Sequence, residues 1–192
     1  MENIKNICVF CGSRTGMSSR YCEEARFLGK ALAENKIGLV YGGGRTGMMG
    51  EIAQSVFSSG GYVTGIIPTF LKTKEQLFTD AQIIIETEDM HERKRLMAEK
   101  SDAFIALPGG IGTLEELVEQ MTWIHLKRHE KPVILLDIDG FWQPFVALVR
   151  HMRDTGFIAP DAGFKTYLAE DVQMAVRILT DTAYQKKVPI LI

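Results

Sequence analysis

The chain of 192 residues reads as an α/β fold, a Rossmann-like doubly wound sheet, mostly parallel, with helices on both faces. Two observations carry that reading. Apolar, β-branched runs alternate with stretches of helical periodicity along the chain. Three of the turns that follow those runs are rich in glycine or small residues, at the edge where such sheets bind ligands.

The elements follow in order. Strands are expected over 4–11 ("IKNICVFC"), 37–42 ("IGLVYG"), 62–67 ("YVTGII"), 82–86 ("QIIIE"), 103–107 ("AFIAL") and 132–137 ("PVILLD"). Helical spacing fills 18–35, 47–60, 90–101, 112–128 and 141–154 between and after them. A last helix is expected over 168–181, preceded by "TGFIAPDAGFK" as loop. With no repeat, low-complexity tract or linker, residues 1–192 are expected to form one nucleotide-binding domain, long enough for a three-layer core.

Composition excludes several function classes. The chain is 46% hydrophobic and 24% charged with a formal charge of -2, which offers neither a nucleic-acid nor a membrane surface. No run approaches the roughly 18 apolar residues of a membrane span, and "MENIKNICVF" has no basic region leading into a long apolar one. A cytoplasmic protein is the expectation. Cys8, Cys11 and Cys22 are too few for a disulfide framework, and the C-x-x-C of Cys8 and Cys11 lies within a strand-like run rather than at a helix start. Buried strand cysteines are therefore expected. His125 and His129 lack a third ligand and read as an exposed helix end.

Three loops carry the chemistry: "CGSRTG" (11–16), "GGGRTGMMG" (42–50) and "PGGIGTLEE" (108–116). In a parallel sheet they can converge on one crevice. The second contains G-x-G-x-x-G at Gly42, Gly44 and Gly47, but it follows the second strand, and the next strand ends at Pro68 with no acid to bind a ribose. A dinucleotide site is disfavoured; a structural turn or a phosphate- or base-contacting loop remains. In the third loop Gly109, Gly110 and Gly112 let backbone amides approach a ligand, and Thr113 is expected to open a helix suited to a phosphate. Glu116 then has two readings, a functional carboxylate or the last member of a Thr113–Glu116 capping box. On the helix "MHERKRLMAEK", Arg93 shares a face with Met90 and Met97, where an apolar residue is expected. Snorkelling and function both fit that position.

"MHERK" followed by "PGGIGTLEE", together with "VFCGS" and "GLVYGGGRTGMMG", resembles the LOG ("lonely guy") proteins over about residues 5–150. Members are cytokinin riboside 5'-monophosphate phosphoribohydrolases, once labelled lysine decarboxylases. The resemblance implies catalytic roles for Arg93 and Glu116, with Lys94 in the substrate site and a phosphate-binding turn over Gly109, Gly110, Ile111, Gly112 and Thr113, flanked by Leu114 and Glu115. It extends substrate contacts to Gly12, Ser13, Gly43 and Gly44 and, where the loop "PTFLKTKEQLFTD" departs from the pattern, to Glu75 and Thr122. The implied substrate is a nucleoside 5'-monophosphate such as AMP or an N6-modified AMP, without metal or cofactor. The implied assembly is a homodimer with the active site near the interface. The alternative is a nucleotide-binding or sensing module of the same fold that cleaves nothing.

Overall fold

The computed structural model describes residues 4–159 and 165–188, the side chains of Lys74 and Glu75 excepted. Seven strands, β1 (Asn6–Phe10), β2 (Gly38–Tyr41), β3 (Val63–Pro68), β4 (Ile83–Thr87), β5 (Ala103–Ala106), β6 (Val133–Leu136) and β7 (Thr166–Ala169), form one parallel sheet in the order β4-β3-β2-β1-β5-β6-β7. In the centre Ile7 of β1 lies opposite Leu39 of β2 on one side and Ala103 of β5 on the other. The helices are α1 (Ser19–Glu34), α2 (Gly47–Ser58), α3 (Lys72–Glu75), α4 (Met90–Glu99), α5 (Ile111–His125), α6 (Gln143–Asp154), α7 (Val172–Thr180) and α8 (Thr182–Gln185).

Both faces of the sheet are covered, as its uniformly buried central strands require. Side chains alternate along each strand. Ile7, Val9, Leu39, Tyr41 and Ile105 therefore pack with Leu28 of α1, Ile52 of α2 and Ile178 of α7. Cys8, Phe10, Val40, Phe104 and Ala106 face the other way, toward Met97 of α4, Leu117 and Met121 of α5, and Trp142. Burying one such Leu, Ile or Phe contributes about 1.5–3 kcal/mol, so the two layers hold the strand ends where loops can form a site. Cys8 and Cys11 fall on opposite faces, and all three cysteines are buried and free, as expected of strand cysteines.

The six expected strands appear within one or two residues at either end. One segment differs. Residues 166–169 form the edge strand β7 beside β6, and α7 begins only at Val172. The apolar spacing of Leu168, Val172 and Ala175 continues a helical pattern backward through the strand. The true boundary is set by Asp171, whose Oδ1 accepts the Met174 amide at 2.7 Å as an N-cap. Of the expected loop before it, residues 160–164 lie outside the described part. Among the described residues no helix is long and apolar enough to cross a membrane.

The chain winds outward from β1 through β2 and β3 to β4, then returns to place β5 on the other side of β1. The connections leaving β1 and β5 thus run in opposite directions. Their divergence opens a crevice at the C-terminal ends of the two strands.

Candidate active site between β1 and β5

Backbone hydrogen bonds draw the three glycine-rich loops together at that crevice. The Gly12 amide donates to Pro108 O at 3.1 Å, joining the loop after β1 to the loop after β5. The Gly12 carbonyl accepts the Met48 and Met49 amides at 3.1 and 3.4 Å, which adds the start of α2. One residue therefore fixes all three loops. The cavity they enclose is about 550 Å³, within the range of small-molecule sites. Its wall includes Gly12, Ser13, Gly42, Arg93, Gly109, Gly110, Ile111, Gly112, Thr113, Glu115 and Glu116.

The helix after β5 starts earlier than expected. Gly110 is its N-cap and Ile111 its first residue, so Thr113 already lies inside the first turn. This removes the capping-box reading, because Glu116 is no longer three residues beyond a cap. The α5 start has no side-chain cap and no acid in its first turn. Its first amides have no intrahelical acceptor and carry the positive end of the helix dipole. Glu116 follows one and a half turns on and reaches the same cavity.

Arg93 does not snorkel. It is 5% exposed, and α4 turns it inward to the sheet, where Nε donates to Ile66 O at 3.2 Å and Nη2 to Gly42 O at 2.9 Å. Nη1 lies 3.8 Å from the Met90 sulfur. The role of Gly42 follows from this contact. A Cβ there would fall 2.1 Å from Arg93 Nη2, so the first glycine of "GGGRTG" makes room for a guanidinium. Gly47 answers a second close approach, since a Cβ would fall 2.3 Å from the Ser13 carbonyl carbon and its φ is +60°. Gly42 and Gly47 thus each make room for a close approach within the loops, and Gly42 also lines the cavity.

Beneath them, burial and then the charge of Glu116 push the Cys8 thiol well above its ordinary range, with Arg93 opposing. Cys8 therefore stays neutral in the core behind the site.

Other expected contacts fall elsewhere. Lys94, 8% exposed, turns from the cavity to α5 and bonds Glu115 and, at 2.9 Å, Glu119. Burial lowers its pKa, but the two carboxylates more than offset this and hold it above the ordinary lysine value. Gly43 accepts the Phe78 amide through its carbonyl and Gly44 bridges Leu77, so both anchor the segment after α3. Leu114 packs on the α4–α5 core, and the Thr122 hydroxyl donates to Val118 O at 2.8 Å on the outer face of α5. Glu75 ends α3, and its side chain lies outside the described part.

The cavity also has members outside the motifs, Tyr21, Leu71 and Phe141, and two from within them that were not singled out as contacts, Arg14 and Met90. Tyr21 and Phe141 meet edge to face, 6.0 Å between ring centres. They come from α1 and from the turn before α6, and no local sequence spacing connects them. His125 is exposed at the end of α5, whereas His129 folds back against Phe104 and Trp123.

The protein family described as "Possible lysine decarboxylase" matches residues 49–179. The chain is 41% identical over 173 residues to a cytokinin riboside 5'-monophosphate phosphoribohydrolase of Rhodococcoides fascians, covering 90% of this chain and 87% of that one. An Arabidopsis thaliana protein of the same name is 45% identical over 180 residues, 94% of this chain and 83% of the other. Among solved structures, the molybdenum cofactor carrier protein of Chlamydomonas reinhardtii superposes with a TM-score of 0.70 at 24% identity, covering 91% and 95% of the two chains. That last likeness is one of fold.

Proposed function

Because the chain belongs to the LOG family of phosphoribohydrolases, we propose that it hydrolyses the N-glycosidic bond of nucleoside 5'-monophosphates such as AMP or N6-modified AMP. The observation that carries this reading is the meeting of Arg93, Glu116 and the first turn of α5 in one cavity. The 5'-phosphate sits on the α5 amides, where helix dipole and unpaired N–H groups favour an anion. C1' then lies near Glu116.

As the bond from C1' to the base nitrogen breaks, the bonding electrons leave with the base and the sugar becomes an oxocarbenium-like cation. A carboxylate beside C1' stabilises that charge and accepts a proton from the water that adds to C1'. That proton passes to the nitrogen of the departing base, which leaves as the neutral base, and the hydroxyl stays on C1' as ribose 5-phosphate. Arg93, fixed by two backbone carbonyls, holds the electrostatics and shape of the floor under this step. No lysine lines the cavity among the described residues, so the decarboxylase description of the family has no amine in this site to rest on.

Two copies are proposed to associate through the outer face of α5, where Ile111, Val118 and Leu126 are 82%, 42% and 62% exposed. Cytoplasmic residence is proposed with it.

The test of the chemistry is ribose 5-phosphate release from AMP and from N6-isopentenyladenosine monophosphate. Glu116→Gln is expected to bind AMP normally and to lose at least about 100-fold in kcat, the scale of a general base. Near-normal turnover in that variant removes Glu116 from the mechanism, and binding by the wild type with no release makes the protein a carrier or sensor.

A further inference from the structure

We propose that Arg14 is the counter-ion of the substrate's phosphate and the residue that selects a 5'-nucleotide over a nucleoside. This rests on the cavity being the nucleotide site. It adds a side chain to the phosphate-binding turn over residues 109–113.

The argument is one of elimination and place. The charged side chains on the cavity wall among the described residues are Arg14, Arg93, Glu115 and Glu116. A phosphate dianion entering the cavity meets Glu116 and Glu115, the latter already paired with Lys94, so a cation not committed elsewhere must accompany it. Arg93 is buried and held by the carbonyls of Ile66 and Gly42, on the sheet side of the wall. Lys94 does not line the cavity and is bonded to Glu115 and Glu119. Arg14 is exposed and, among the described residues, in no ion pair.

Arg14 is also in the right place. It follows Gly12 and Ser13 in the loop after β1, and Gly12 is hydrogen-bonded to Pro108. A Cβ on Gly12 would lie 3.1 Å from Arg14 O and 3.4 Å from Gly109 Cα, so the Arg14 backbone flanks the turn that leads into α5. Arg14 and the residues of the first turn of α5 therefore line one cavity. Arg14 also forms part of a shallower groove with Thr15, Gly16, Met17 and Gly47, open to solvent, from which it can move onto an arriving phosphate. A planar fork of donors binds a phosphate bidentately, and α5 supplies the remaining donors.

The test uses ribose 5-phosphate, which contains the phosphate but no scissile base, against ribose. In calorimetry Arg14→Gln is expected to weaken ribose 5-phosphate about 10- to 100-fold with ribose unchanged, and Arg14→Lys to recover part of the loss. The wild-type affinity falls with added salt, as an exposed charge contact must, and the Arg14→Gln affinity falls less. In turnover of AMP the same variant raises KM by the factor seen in calorimetry, with kcat within about threefold. Unchanged ribose 5-phosphate affinity in Arg14→Gln overturns the proposal, as does an equal loss for ribose. Binding of the product reads Arg14 even where AMP is not hydrolysed, so failure of this proposal and failure of the hydrolase reading are separate results.

Discussion

Gly42→Ala tests whether Arg93 must be where it is. The added Cβ falls 2.1 Å from Arg93 Nη2 and 3.1 Å from the Met49 sulfur, so the guanidinium is more than about 1 Å inside ordinary contact and has to retreat. That retreat breaks the 2.9 Å bond from Nη2 to Gly42 O. A hydrogen bond made by a charged group contributes about 1.5–3 kcal/mol. Because the obstructing atom is the end of a long side chain and not backbone, the fold absorbs the change. The expected stability loss is therefore about 1.5–3 kcal/mol, well short of unfolding. Catalysis is more sensitive to position, since a misplacement of about 1 Å costs on the order of 100-fold. Urea unfolding and AMP turnover on the same preparation separate the two effects. A variant with full kcat and reduced stability refutes the argument, because Arg93 would then serve the fold alone.

Two further predictions concern the rest of the molecule. Burial and, second, the charge of Lys131 lower the His129 pKa from its ordinary 6.5 to about 4, while its Nδ1 accepts the Lys131 amide and its Nε2 donates to Gln120, each at 3.2 Å. The folded state thus resists protonation, so the stability gained from this ring is complete above pH 6.5 and is lost as pH falls toward 4. The displacement corresponds to at most about 3 kcal/mol, reduced to roughly 1–2 kcal/mol by solvent around a half-buried ring. Urea unfolding of wild type and His129→Gln at pH 7.5 and pH 4.5 reads the difference, and equal losses in both refute it. For the assembly, sedimentation velocity is expected to give twice the chain mass, with Val118→Lys shifting it toward the monomer; a wild-type mass of 21.5 kDa removes the dimer.

Features set by local spacing were legible in the sequence. The strands of the sheet's centre stand out because both of their faces are buried, and Arg93 stands out because it interrupts an apolar stripe between Met90 and Met97. The convergence of the three loops follows from parallel topology alone. What sequence could not convey was which neighbour claims a side chain. Gly42 looks like part of a cofactor fingerprint until the guanidinium 51 residues away is in view. The family resemblance implies a place for Lys94 in the substrate site, and the structure bonds it to Glu115 and Glu119, because one residue along a helix from Arg93 is a rotation of about 100°. β7 does not stand out because four edge-strand residues carry too short a pattern to outweigh the helical spacing that follows.

That rotation explains how the site holds its shape. Arg93 and Lys94 leave α4 in different directions, one to the backbone of β3 and the loop after β2, the other to α5. Glu115 and Glu119, four residues apart, share the α5 face that Lys94 grips. Glu119 Oε2 is buried with no hydrogen-bond partner among the described residues, so the adjacent ammonium is what makes burial of this carboxylate tolerable. Gripping one face of a helix fixes its rotation about its own axis. With Glu115 held by Lys94, the neighbouring Glu116 is kept at the cavity that the first turn of α5 also lines. The adjacent glutamates therefore differ in task, one tying the helix to α4 through Lys94 and the other reaching the cavity, where the proposed chemistry needs a carboxylate.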